Sequence, residues 1–158
     1  MGERTGCASP SPLVCVVSYR RSHFARVLAY SPSSSSCRCA AGPSYKNVNF
    51  FHDREGRVEY DWDDERGSKG LKTAVEFAKK FNGACNGRVT TLLYPGHVDS
   101  CTPALLKETR KAARELGVRV QIHATINLFE FHTVMQRERC TPIELLKKIN
   151  FLDPEVSL

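Results

Sequence analysis

Two short β-rich runs, separated by one amphipathic helix and each followed by residues capable of chemistry, constrain this chain more than any other feature. Arg88 to Leu93 reads Arg-Val-Thr-Thr-Leu-Leu and is closed by Pro95-Gly96, the pattern of a strand that ends in a turn. Val118-Arg119-Val120-Gln121-Ile122 alternates apolar and polar residues and reads as a second strand, with His123 at its C-terminal end. Between them, Thr102 supplies a capping hydroxyl and Pro103 fills the first helical position, where the missing N–H costs nothing. Leu105, Leu106, Thr109, Ala112, Ala113 and Leu116 then share one face, and Gly117 stands where a C-terminal cap belongs. A strand, helix, strand order implies a parallel pair, because parallel strands need a long crossover. That crossover is expected to be right-handed.

The flanking segments extend the same pattern. Leu71, Ala74, Val75, Phe77, Ala78 and Phe81 predict a helix that Asn82-Gly83 ends. Asp53-Arg54-Glu55-Gly56 reads as a turn, and Asp61 to Gly67 as an acidic loop around Trp62. A helix is expected over Leu128 to Arg139. Thr141-Pro142-Ile143-Glu144 is a capping box that opens another, running through Ile149 and broken by Asp153-Pro154. Val156-Ser157-Leu158 looks like the opening of a further strand.

Residues 1–42 are written differently. They hold nine serines, five Arg, no Lys and a single acid, Glu3, with no sustained period of 2 or 3.6. Two readings stand for this leader: an organelle transit peptide, or a largely disordered terminus that carries no chemistry. The division drawn from composition is therefore a leader over 1–42 and an α/β body over 43–158. The leader accounts for +4 of the net charge of +6, so the body lacks the basic stripe that nucleic-acid binding would need. No apolar run approaches the ~20 residues of a membrane span. Seven cysteines without periodic spacing do not form a secreted disulfide framework. Cys37 and Cys39 stand one residue apart, closer than zinc pairs usually do. A reducing, cytoplasmic setting is expected, or a mitochondrial one if the leader is a transit peptide.

In parallel α/β folds, reactive groups collect at the carboxyl ends of the strands. Tyr94 to Cys101 follows the first strand, and His123 tips the second. A neutral imidazole at a strand tip suits zinc or iron, although hydrogen bonding to a neighbouring loop is the alternative. His97 and Asp99 have two readings, contact with a small-molecule substrate or closure of a polar turn. Cys101 has no base beside it in the sequence. His52 and His132 have no partner at metal-ligand spacing, and Met135 and Phe131 are expected in the core.

Several phrases together resemble the metal-dependent amidohydrolase superfamily, above all its cytosine- and guanine-deaminase-like and triazine-hydrolase-like branch. They are Gly42-Pro43-Ser44-Tyr45, Gly87-Arg88-Val89 leading to Pro95, and Cys101-Thr102-Pro103-Ala104-Leu105-Leu106. Leu116 to Ala124 follows, and then Thr141 to Leu146 running on to Phe151-Leu152-Asp153-Pro154-Glu155-Val156. The resemblance implies a (β/α)8 barrel, of which residues 43–158 would supply about strands four and five and the start of six.

By the same resemblance, His123 corresponds to the fifth-strand histidine that binds a divalent metal, zinc or iron. The family's other ligands are a His-x-His pair on the first strand, a histidine on the sixth and an aspartate on the eighth. None is present in this sequence, and the sixth-strand histidine would be expected just past Leu158. A glutamate commonly lies three residues after the fifth-strand histidine, where this sequence has Ile126; Glu130, a turn further on, does not match that position. The implied activity of intact relatives is attack of metal-activated water on a non-peptide carbon–nitrogen bond. For this chain the expectation is a fragment, inactive alone, or else a non-catalytic module that keeps the βα scaffold. A barrel of this type takes ~250 residues, so poor stability is expected of the chain by itself.

Overall fold

A computed structural model describes residues 38–158, and the readings made for residues 1–37, including the transit-like leader and Cys37, lie outside them. The described chain is an α/β body built on an all-parallel sheet. In chain order its strands are β1 (Cys39–Ala41), β2 (Ser44–Tyr45), β3 (Val48–His52), β4 (Val58–Trp62), β5 (Val89–Pro95), β6 (Arg119–Gln121) and β7 (Val156–Ser157). The helices are α1 (Asp64–Phe81), α2 (Pro103–Leu116), α3 (Leu128–Glu138) and α4 (Pro142–Lys148), with a short irregular turn over Ala84–Gly87 between α1 and β5.

Strand β5 is the centre of the sheet. It pairs in parallel with β1 and β2 on one side and with β6 on the other, and β6 pairs in parallel with β7. The registers Ala41↔Thr91 and Ser44↔Tyr94 share one offset, so β1 and β2 are a single strand interrupted at Gly42-Pro43. Two physical facts explain the interruption. Pro43 has no N–H to give to a ladder, and Gly42 is pressed so close to β5 that a Cβ there would lie 2.1 Å from the Leu92 carbonyl oxygen. The sheet thus starts at Cys39, inside the stretch that composition assigns to the leader, and Ala41 is already buried.

From Thr91 to Pro95 every residue of β5 is buried, as expected of a strand covered on both faces. Helices α1 and α2 pack on it, and α2 also reaches β6. The core gathers Leu93, Leu106, Val120, Ile122, Leu146 and Phe151. The expected caps are present: the Thr102 hydroxyl accepts from Leu105 N–H, Gly117 takes the left-handed conformation, and Thr141 and Glu144 form the capping box.

Three expectations require correction. Asp61 to Gly67 is not a loop: Asp61 and Trp62 complete a hairpin whose Asp53–Gly56 turn joins β3 to β4, and α1 starts at Asp64 with Asp63 as its cap. Helix α4 ends at Lys148 rather than Ile149, with Asn150 left-handed at φ 55°, ahead of Pro154. Met135 is exposed and Phe131 half-buried, because α3 turns Glu130 and Val134 inward instead.

Candidate functional site

The site grows out of the sheet's register. Strands β5 and β6 pair at Leu92↔Arg119 and Leu93↔Val120, and meet again in a bridge between His97 and His123. Between Leu93 and His97 the first strand advances four residues, while Val120 to His123 advances three. The additional residue re-aims the end of β5, as bulges do beside functional sites. His123 N–H donates to the Gly96 carbonyl at 3.1 Å, and Val98 N–H donates to the His123 carbonyl at 3.2 Å. The backbone thereby fixes both imidazoles at the carboxyl end of the sheet, with ring centroids 5.0 Å apart.

A third ring completes the group. The Tyr94 hydroxyl and His123 Nε2 are hydrogen-bonded at 2.6 Å, and the two rings meet edge to face with centroids 5.7 Å apart. Tyr94 is buried, and burial pushes its phenol above the ordinary range, so the ring is neutral at physiological pH. Both histidines are half-buried. The structure brings His97 and His123 together and adds Tyr94, which sequence reasoning left unassigned. The signal was available: Tyr94 occupies the tip of β5 as His123 follows the end of β6.

Asp99 is handled differently. Its side chain is buried, and its Oδ1 has no hydrogen-bond partner among the described residues. Its surroundings are set from α3: Arg137 donates to the carbonyls of Asp99 at 2.7 Å, Val98 at 3.3 Å and Cys101 at 3.2 Å. The same guanidinium stacks over Trp62, 4.9 Å from the ring centroid. Tyr60 lies close enough to Asp99 for the carboxylate to help raise the Tyr60 phenol, after burial as the main cause. Arg137 is thus a clamp on the loop between β5 and α2, and nothing in the sequence marked it as one. The buried Cys101 thiol is pushed up to about 12, chiefly by burial, which leaves it inert as a nucleophile.

After His123 the chain turns sharply into α3. Thr125 is left-handed at φ 62°, a strained position for a β-branched residue. Asn127 caps α3, and Glu130 Oε2 accepts from Ile126 N–H at 2.9 Å while Oε1 has no partner among the described residues. Glu130 is 1% exposed and Ile126 is 51% exposed. The residue three places after the histidine therefore faces solvent, and the buried carboxylate belongs to Glu130.

Among the described residues no three His, Cys, Asp or Glu side chains are placed to hold an ion. His123 Nε2 is already hydrogen-bonded to the Tyr94 hydroxyl. A catalytic zinc site takes roughly three protein ligands and a water, so these residues do not fit one by themselves. A cleft of about 280 Å³ lies elsewhere, lined by Trp62, Asp64, Thr102, Arg137 and Glu138, and includes none of His97, Asp99 and His123.

Known proteins share both the sequence and the fold. A 5-methylthioadenosine/S-adenosylhomocysteine deaminase of Archaeoglobus fulgidus is 40% identical over 96 residues, 61% of this chain and 23% of that protein. A 5'-deoxyadenosine deaminase of Methanococcoides burtonii is 29% identical over 101 residues, 64% of this chain and 23% of that one. Atrazine chlorohydrolase from Arthrobacter aurescens, solved with zinc, superposes with a TM-score of 0.65 at 15% identity, over 90% of this chain and 31% of its own. The matched stretch thus resembles amidohydrolase-type deaminases in sequence and shares the fold of a zinc-bound hydrolase. A zinc-bound adenosine deaminase from Xanthomonas campestris shares the amidohydrolase fold at a TM-score of 0.56 and 15% identity, over 76% of this chain and 24% of its own. The chain spans about a quarter of the length of the curated relatives it matches. No family model matches the chain. Among the described residues, no helix is long and apolar enough to cross a membrane.

Proposed function

We propose that this chain carries the part of a hydrolase barrel that presents His97 and His123 to a small-molecule substrate, in an enzyme for non-peptide carbon–nitrogen bonds. The observation that carries the reading is the bridge that joins His97 to His123 at the carboxyl ends of two adjacent parallel strands. Groups at that end of such a sheet face the loops and helix N-termini that form a substrate mouth. Kinship with deaminases of purine nucleosides supports ammonia as the leaving group. His97 is assigned to substrate contact. Asp99 lies two residues on, in the loop that Arg137 clamps through the Asp99 carbonyl.

The 158-residue chain alone is proposed to be inactive, because its own residues do not assemble a metal site. Two of the solved neighbours hold zinc, and a zinc held by a complete ligand set would supply an activated water. Here the residues' own contribution is to position and to exclude solvent. Ammonia release from 5'-methylthioadenosine, with the purified chain and added zinc, is expected to equal that of His123→Ala. Zinc-dependent release that His123→Ala abolishes would overturn the claim of inactivity.

One observation favours a second reading, a binding module without turnover: the His123 ring is already engaged by the Tyr94 hydroxyl, and the described residues assemble no metal site around it. That reading expects 5'-methylthioadenosine to bind by calorimetry without being consumed, and His97→Ala to weaken it.

A further inference from the structure

We propose that the β3–β4 hairpin is a latched arm that opens as one unit away from α3 and, in opening, uncovers the Asp99 carboxylate. The proposal rests on the reading above only in counting the loop after β5 as part of the substrate end. Strands β3 and β4 pair antiparallel with each other, and neither joins the parallel sheet. A two-stranded hairpin by itself is at best marginally stable in water. Phe50 and Phe51 stand on opposite faces of β3 and are 57% and 55% exposed, so neither face of that strand is packed into the body. The arm's order therefore comes from its base and from its contacts with α3.

The base is firm. Asn47 N–H and Val48 N–H both donate to the Ser100 carbonyl, at 3.0 and 3.3 Å, and Asp63 N–H donates to the Asn47 carbonyl at 2.9 Å. Beyond the base, one file of flat groups holds the arm down. Phe129 of α3 stacks on Tyr60 with centroids 6.1 Å apart, Tyr60 stacks on Trp62 at 6.2 Å, and Arg137 of α3 lies over Trp62 at 4.9 Å. Arg137 is itself fixed by the carbonyls of Val98, Asp99 and Cys101 and by Glu138, so an opening arm leaves it behind. The Tyr60 hydroxyl also meets Thr133 and Asp99. Against this latch stands Asp99, 9% exposed, whose Oδ1 has no hydrogen-bond partner among the described residues. Keeping a carboxylate oxygen dry and unpaired is costly, and lifting Tyr60 lets water reach it. Stacking and cation–π contacts are individually weak, of the same order as that cost, so the arm has two accessible positions.

Hydrogen exchange on the full 158-residue chain tests this, read amide by amide with NMR, and Trp62 is the only tryptophan, so its fluorescence reports the arm directly. In the wild type, the β3 and β4 amides are expected to be about tenfold less protected than those of β5. Phe129→Ala removes a half-exposed ring and none of the carbonyl contacts. It should lower hairpin protection about tenfold further with β5 unchanged, and acrylamide should quench Trp62 more steeply. Asp99→Asn removes the charge and keeps the shape; it should do the reverse, raising hairpin protection and shielding Trp62. Equal protection of hairpin and β5 in the wild type overturns the proposal. So does a Phe129→Ala chain whose hairpin is unchanged or loosens only together with β5, and so does an Asp99→Asn chain whose arm is unaltered or looser. Should Asp99→Asn fail to fold, the wild-type and Phe129→Ala measurements decide. Ammonia release enters none of these readouts, so the hydrolase reading stands or falls separately.

Discussion

Asn47 ties three parts of the fold together through one side chain. Its Oδ1 accepts from the Thr102 N–H at 2.8 Å and from the Thr102 hydroxyl at 3.2 Å, and its Nδ2 donates to Asp64 at 3.0 Å. The start of β3, the start of α1 and the start of α2 therefore meet at a residue that is 2% exposed. Asn47→Ala would strand buried donors, each costing about 1–3 kcal/mol. A loss of about 2–3 kcal/mol in urea unfolding is expected. Gly67 packs against the same amide, with a built Cβ falling 2.5 Å from Asn47 Nδ2, so Gly67→Ala should destabilise the chain in the same assay. Cysteine reactivity gives a second test at this scale. Cys85 is exposed whereas Cys101 is 0% exposed with its thiol pushed up to about 12. Native-state alkylation at pH 8, read by mass spectrometry, should label Cys85 and leave Cys101 unmodified until denaturant is added.

Among the elements, α4 and the connection to β7 carry the clearest energetics. Glu144 accepts the Thr141 N–H at 2.8 Å, and that bond holds its carboxyl below the usual carboxylate range. A depressed pKa means the cap's ionic part is present above the unfolded value and fades as pH falls through the lower folded one. Protection of the Thr141 amide, taken relative to its intrinsic exchange rate at each pH, should accordingly fall in acid, while Thr141→Ala should cost about 1 kcal/mol even at neutral pH. Arg110 on α2 is paired with Asp153, just ahead of β7, and Arg114 reaches the same carboxylate at 3.5 Å. The pair is asymmetric: the arginine side chain is 6% exposed and the aspartate 22%. Removing Asp153 leaves a buried guanidinium, whereas removing Arg110 leaves a carboxylate with solvent and a second arginine. Asp153→Ala is expected to cost about 3 kcal/mol, against about 1 kcal/mol for Arg110→Met. Equal losses in chemical unfolding would contradict that asymmetry.

At the scale of the molecule, the sheet ends in β1 and β2 on one side and β7 on the other. Phe50, Phe51, Leu128 and Phe129 are each about half exposed or more. Tyr60 stacks on Phe129 with centroids 6.1 Å apart, joining the β3–β4 hairpin to the head of α3 in one aromatic surface. Strand edges that have no partner among the described residues, together with exposed aromatic rings, favour self-association. The isolated chain should bind a hydrophobic dye and sediment as a concentration-dependent mixture; a dye-silent monomer with a sharp, high-temperature melt would refute this.

The sequence by itself determined the βα order, the caps at Thr102 and Thr141, and the placing of His123 at a strand tip, because these follow from local periodicity and local hydrogen bonding. It also carried the kinship, since identity to nucleoside deaminases resides in the residues themselves. Tertiary structure alone decided what those residues meet. The hairpin over Val48–Trp62 escaped notice because Phe50, Phe51 and Trp62 are exposed and break the alternation that marks a half-buried strand. Strand β1 was hidden by being three residues long and recognisable only through its pairing with β5. The hydroxyl that holds His123 comes from a residue 29 positions away, and the guanidinium that clamps the Asp99 carbonyl from one 38 positions away. Such contacts arise from sheet register and helix packing, neither of which a linear pattern of side chains can specify.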